Sequence, residues 1–215
     1  MDWSIVVMAL PILAVGLLAT LKVCLAAIAI GIVLGFALGF GALSRFRAVR
    51  IAVLAYVDFV RGTPLLVQIF LVYFALPVIG INFNEYWAGV LALSLNAGGF
   101  ICEIVRASMQ SVDRGQTEAA QSIGMRHGQI VLHVLFPQAW RRILPPLTNE
   151  LISLIKGSAL LSAISVYELT HAGQEIIATY FSPFEIFLLI ALYYYALISA
   201  LAWLSRYLER RLPQY

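Results

Sequence analysis

Glu150 and Lys156 stand inside an apolar run at about residues 147–166, with Asn149, Gly157, Ser158 and Ser162 close by. An ionisable group in hydrocarbon costs about 2.5–3.5 kcal/mol on insertion scales, so each needs a partner or a task. Six residues of separation put the two on different helical faces, and their partners are expected on other helices. Asn96 lies in the middle of an earlier apolar run, beside Gly98 and Gly99. Two chemistries suit such groups. One is a buried hydrogen-bond network that fixes helix packing. The other is a path for a polar substrate, where unwound backbone at Gly157 would line a cavity. On the second reading Asn96, Glu150 and Ser158 face the path.

A second polar stretch, Gln116 to Pro137, interrupts the apolar sequence. Ala119, Ala120 and Ile123 fall on one face of a short helix, with Glu118 and Gln121 off it. Gly124 is expected to stop that helix, because glycine tolerates the left-handed conformation at a C-terminus. A second short helix would carry Ile130, Val131, Val134 and Leu135, with Pro137 ending it. Helix, tight turn and helix, held to the membrane at both ends, make an element suited to docking on another protein.

The motifs of common catalysts are missing. There is no G-x-x-x-x-G-K-[ST] phosphate loop, no H-E-x-x-H and no G-x-S-x-G, so no catalytic or metal-ligating residue is assigned. His127, His133 and His171 fall in loop regions and read as surface histidines. Cys24 and Cys102 lie in apolar runs, which does not suggest a disulfide framework.

The elements that position these groups are membrane spans. Of the 215 residues 62% are hydrophobic and only 12% charged, against about 25% charged in soluble domains. Five spans are expected at about 15–40, 51–78, 87–105, 147–166 and 184–204, within one domain covering 1–215. Gly31, Gly35 and Gly39 give the first span a small-residue face. The second is long enough to project from the bilayer; Asp58 and Arg61 can pair on it, and Pro64 should kink it after Gly62. Pro145 and Pro146 fit the start of the fourth. Tyr167 to Tyr180 reads as an outer amphipathic segment, and Ser182-Pro183-Phe184-Glu185 has the form of a capping box. Arg45, Arg47 and Arg50, then five arginines from Arg106 to Arg142, then Arg206, Arg210 and Arg211, occupy alternate loops. Cations concentrate on the cytoplasmic side, so the N-terminus is out, the C-terminus in, and the loop 107–142 cytoplasmic. The net charge of +3 belongs to these loops and gives no reason to expect nucleic acid.

Glu118-Ala119-Ala120, Gly124 and Val134-Leu135-Phe136-Pro137 together resemble the EAA loop of ABC importer membrane subunits. Arg61-Gly62-Thr63-Pro64-Leu65-Leu66-Val67-Gln68 and Leu144-Pro145-Pro146-Leu147-Thr148-Asn149 are similar to segments of the polar amino-acid branch, the glutamine, histidine, arginine and cystine type. The resemblance implies an all-α type I importer permease fold in the bacterial inner membrane. It implies a translocation path that includes Arg61, Gln68, Lys156 and Gly157, and coupling through Glu118, Ala119, Ala120, Gly124, Met125 and Arg126. It further implies two cytoplasmic ATPase subunits that bind ATP and Mg, no cofactor in this chain, a second permease copy or similar chain, an external substrate-binding protein and an amino-acid substrate. In similar permeases an acidic residue follows the lysine of this run; here Lys156-Gly157-Ser158-Ala159-Leu160 has glycine there. An ATPase-independent secondary transporter or channel is the alternative, though no inverted repeat is visible.

Overall fold

In the computed structural model, residues 3–211 are described, with side chains to residue 207; the cationic tail beyond that point lies outside the described side chains. The described residues form helices and no strand. We number them α1 (Trp3–Ala42), α2 (Arg47–Gly62), α3 (Leu65–Ile79), α4 (Glu85–Gln110), α5 (Arg114–Ser122), α6 (His127–Ile164), α7 (Leu169–Tyr180) and α8 (Pro183–Arg211). Four of them, α1, α4, α6 and α8, are long and apolar enough to cross a membrane. The pair α2 and α3 makes a fifth candidate, bent by 112° at its break.

Helix α1 packs on α4 through its glycines. A Cβ on Gly35 would lie 2.5 Å from the Ile101 Cβ, and one on Gly39 would lie 2.6 Å from Val105 Cγ1. Gly98 on α4 takes the Leu34 side chain in the same way. Close approach of small residues is the main source of helix association in lipid, where the tails are as apolar as leucine. The Ser94 hydroxyl donates to Val90 and to Ala27 across the same seam, and the Tyr56 hydroxyl of α2 donates to Leu95 at 2.6 Å.

Three expectations are corrected. Helix α1 begins at Trp3 rather than near Val15 and continues through Pro11. Val6, Ala9 and Leu13 pack against Leu169, Ala172 and Ile176 of α7 and Ile186 and Ile190 of α8, which holds the early turns in place. The second candidate span is two short helices rather than one kinked helix. At 16 residues α2 is about 24 Å long, less than the ~30 Å hydrocarbon core. The third correction concerns α6. Pro137 does not end a helix, and Pro145 and Pro146 do not start one: a single helical body runs from His127 to Ile164.

The α6 helix passes its first proline by widening. Ile130–Leu135 is a π-helical turn, and Phe136 donates to Val131, five residues back. The α3 helix does the same, with a π turn at Leu71–Ala75 ahead of Pro77. A proline ring collides with the carbonyl four residues earlier, and the wider turn moves that carbonyl aside.

On the far side of the bundle, α7 is anchored by Glu168. Its fully buried carboxylate accepts from the His171 amide at 2.7 Å and the Tyr194 hydroxyl at 2.9 Å. Burial pushes the Glu168 carboxyl above the ordinary carboxylate range. The Leu169 amide donates to the Thr20 hydroxyl of α1.

Candidate functional site

Two places collect the residues singled out above, and α6 connects them. At one end is the knuckle between α5 and α6. Asp113 caps α5 by accepting from the Gly115 amide at 2.8 Å. Gly124 ends the turn at φ +82°, with its amide donating to Gln121 and that of Met125 to Ala120. A Cβ on Gly124 would meet nothing within 4 Å, so backbone conformation rather than space selects glycine. The Gln129 side chain accepts from the Arg126 amide at 2.8 Å and opens α6.

The knuckle is fastened to the bundle on several sides. His127 Nε2 lies 2.9 Å from the Leu43 carbonyl at the end of α1. Arg142 donates to the carbonyl and hydroxyl of Ser111. Phe136 packs on Phe36, Phe40 and Trp140. Ala119, Ala120 and Ile123 do not share a buried face. Ala120 turns inward and is buried, while Ala119 is exposed and Ile123 is 78% exposed. One residue rotates a helix by about 100°, so the fold buries Ala120 and leaves the i, i+4 pair 119 and 123 outside. Glu118 and Arg126 are also exposed, and Met125 is half-buried. The knuckle therefore presents an apolar tip with a carboxylate and a guanidinium beside it. A groove of about 650 Å³ lies next to it, lined by residues that include Leu43, Arg45, Arg126 and Val131.

At the other place a cavity of about 400 Å³ opens between α3, α4 and α6. Its lining brings together Asn96, Glu150, Lys156 and Gly157 with Thr63, Leu65, Leu93, Phe100, Ser153 and Leu154. The buried Gln68 organises one wall. Its amide nitrogen donates to the Val60 carbonyl at 2.8 Å and reaches the Thr63 carbonyl and hydroxyl at 3.2 and 2.9 Å. Its oxygen accepts from Asn96 Nδ2 at 2.9 Å. Gln68 thus closes the polar ends left by the α2–α3 break and fixes the orientation of Asn96.

Three of the residues expected on a path do not line this cavity: Gln68 stands behind Asn96, and two lie elsewhere. Ser158 is fully buried on the opposite side of α6, where it donates to the Ile155 carbonyl at 2.7 Å and adjoins Cys24. Arg61 stands at 3.7 Å from Glu103, which Arg106 also binds at 2.6 Å, so its carboxylate neighbour is Glu103 rather than Asp58. Thr63 and Ser153 were not singled out in the sequence. Ser153 had a signal, since 150, 153 and 157 form an i, i+3, i+7 stripe. Thr63 lay inside the segment around Pro64.

Residues 27–214 match the family described as binding-protein-dependent transport system inner membrane component. The arginine transport system permease protein ArtQ of Bacillus subtilis (strain 168) is 35% identical over 213 residues, covering 99% of this chain and 97% of that protein. The glutamine transport system permease protein GlnP of Escherichia coli (strain K12) is 36% identical over 213 residues, with 98% and 97% covered. A solved amino acid ABC transporter with histidines superposes with a TM-score of 0.92 at 37% identity, covering 99% of both chains. An inward-facing MetNI methionine ABC transporter superposes at 0.78 with 21% identity, covering 95% of this chain and 98% of that one, a likeness of fold.

Proposed function

The chain belongs to the family of binding-protein-dependent transport system inner membrane components, and on that premise we propose that it is the permease subunit of an ATP-driven importer for polar amino acids. The observation that carries the reading is the continuity of α6. One helix of 38 residues starts at the knuckle and forms a wall of the cavity at Glu150, Ser153 and Gly157. A displacement of the knuckle moves that wall as a rigid body.

In this reading a separate cytoplasmic ATPase receives the tip made by Ala119 and Ile123, with Glu118, Met125 and Arg126 around it. Two ATPase subunits bind ATP and Mg, close on them and push the knuckle. A second copy of this chain, or a similar one, completes the membrane part, and an external binding protein supplies the substrate. The cavity between α3, α4 and α6 holds the amino acid in transit, with Asn96, Glu150, Lys156 and Gly157 around it and Gln68 behind Asn96. Its polar groups replace water that the substrate gives up on entering a low-dielectric space.

The test is co-purification of the tagged chain in mild detergent from its host, followed by ATPase assay. An ATPase that accompanies the wild type and is lost or uncoupled from uptake on replacing Glu118 and Gly124 supports the reading. A folded chain that purifies without an ATPase points to an ATPase-independent carrier.

A further inference from the structure

The cavity between α3, α4 and α6 contains one acid and one base, and they do not neutralise each other. Glu150 and Lys156 both line it, yet neither has an ion pair or hydrogen bond with any described residue. Their six-residue separation along α6 corresponds to about 9 Å of rise and about 120° of rotation, which keeps the two heads apart. The rest of the lining is uncharged: Thr63, Asn96 and Ser153 are polar, and Leu65, Leu93, Phe100 and Leu154 are apolar. No other charged group enters from α3 or α4, since Arg61, Glu103 and Arg106 form their own cluster away from the cavity.

Two opposite charges held apart suit a ligand that carries both. Resting on the amino-acid permease reading above, we propose that the cavity selects a net-neutral zwitterionic amino acid with an uncharged polar side chain. The substrate ammonium faces Glu150 and its carboxylate faces Lys156. The side chain faces Asn96 and Ser153. Asn96 lines the cavity and donates one amide hydrogen to Gln68, and no described residue takes its carbonyl oxygen, so that oxygen is available to a ligand N–H. The Thr63 hydroxyl is engaged by Phe59 and Gln68, so Ser153 is the free hydroxyl of the wall. A cationic or anionic side chain would add a charge with no counter-charge in the lining, and a charge that gives up water without a partner is disfavoured.

Position 157 decides whether this can be reversed. A Cβ on Gly157 would meet only Leu65 Cδ2, at 2.8 Å, and that is the movable tip of a side chain. An aspartate there adds the missing counter-charge for a cationic side chain.

The experiment uses the full chain assembled with its ATPase in lipid nanodiscs and no external binding protein. Equilibrium binding of radiolabelled L-glutamine, L-arginine and L-glutamate is measured. We expect glutamine to bind at least about tenfold more tightly than either charged amino acid. Gly157→Asp should strengthen arginine binding by about tenfold, and Gly157→Asn should not. Glu150→Gln should weaken glutamine by a similar factor in a complex of unchanged ATPase content. Arginine or glutamate binding as tightly as glutamine in the wild type overturns the neutral-substrate proposal and leaves the importer reading standing. Unchanged arginine binding in a folded Gly157→Asp complex also counts against it. No binding of any of the three to an intact complex also overturns the neutral-substrate proposal, while the importer reading stands or falls on its own ATPase test.

Discussion

Proline has opposite effects at two regions of this molecule. At Thr63–Pro64 the chain turns by 112° and α2 gives way to α3. At Pro137, Pro145 and Pro146 the helix goes on. The backbone before the proline differs. Thr63 is extended, at φ −121° and ψ 145°, the conformation that a following proline favours. Leu144 stays helical, with Pro145 and Pro146 inside the same helix. What surrounds the proline differs as well. Gln68 and the Thr63 hydroxyl take the carbonyls of Val60 and Phe59 at the break. In α6 the fully buried Ala139 and Ile143, the Phe136 cluster and the Arg142–Ser111 contact hold the helix continuous through the prolines. A proline breaks a helix where the neighbourhood can absorb the break, and is carried along where packing resists it. The two outcomes serve one site: the break supplies Thr63 to the cavity and Gln68 behind Asn96, and the unbroken helix joins the cavity to the knuckle.

The comparison can be broken most severely in α6. Replacing Leu144 and Pro145 together by glycine puts a hinge between knuckle and cavity. Uptake in reconstituted vesicles should fall by about 100-fold while the ATPase remains bound, because the coupling free energy is no longer transmitted. Loss of ATPase binding instead would show that the hinge had damaged the knuckle itself.

Gly124→Val acts at the start of the same lever. A β-branched residue at φ +82° costs about 1–2 kcal/mol, and the turn should relax to another geometry. We expect roughly tenfold lower uptake per ATP hydrolysed, with normal membrane insertion. Normal coupling in this variant would count against the knuckle as the docking tip.

Gln68→Leu tests the other side. It leaves the buried Val60 carbonyl unpaired and frees Asn96, at a cost of about 1–3 kcal/mol in thermal unfolding of the detergent-solubilised chain. Substrate affinity should weaken with it. A stability loss with unchanged affinity would make Gln68 a structural brace alone.

Pro145→Ala sharpens the comparison by its small effect. If packing already holds α6 continuous, restoring one N–H should change stability by less than about 1 kcal/mol and leave uptake intact. A large gain in helix stability would mean that Pro145 strains α6 after all.

The knuckle was readable because its determinants are local. Gly124 announces a left-handed turn, and the short polar run between apolar segments marks the element. The inward turn of Ala120 and the outward turn of Ile123 were not readable, since both are apolar and only the packing of α5 on the first turns of α6 separates them. The cavity was half readable. Unpaired Glu150 and Lys156 stand out against an apolar background, but Ser158 has the same polar character and lies on the buried side of the helix.

By itself, the sequence determined the membrane class, the number of candidate spans, the glycine seam of α1 and the turn at Gly124. Each depends on composition, on spacing or on a single residue's allowed backbone angles. The tertiary structure decided which prolines break a helix, that α6 is one lever from knuckle to cavity, and that Arg61 faces Glu103. Those outcomes depend on which carbonyls find a donor and which side chains are packed around them, and these are contacts between residues far apart in the chain.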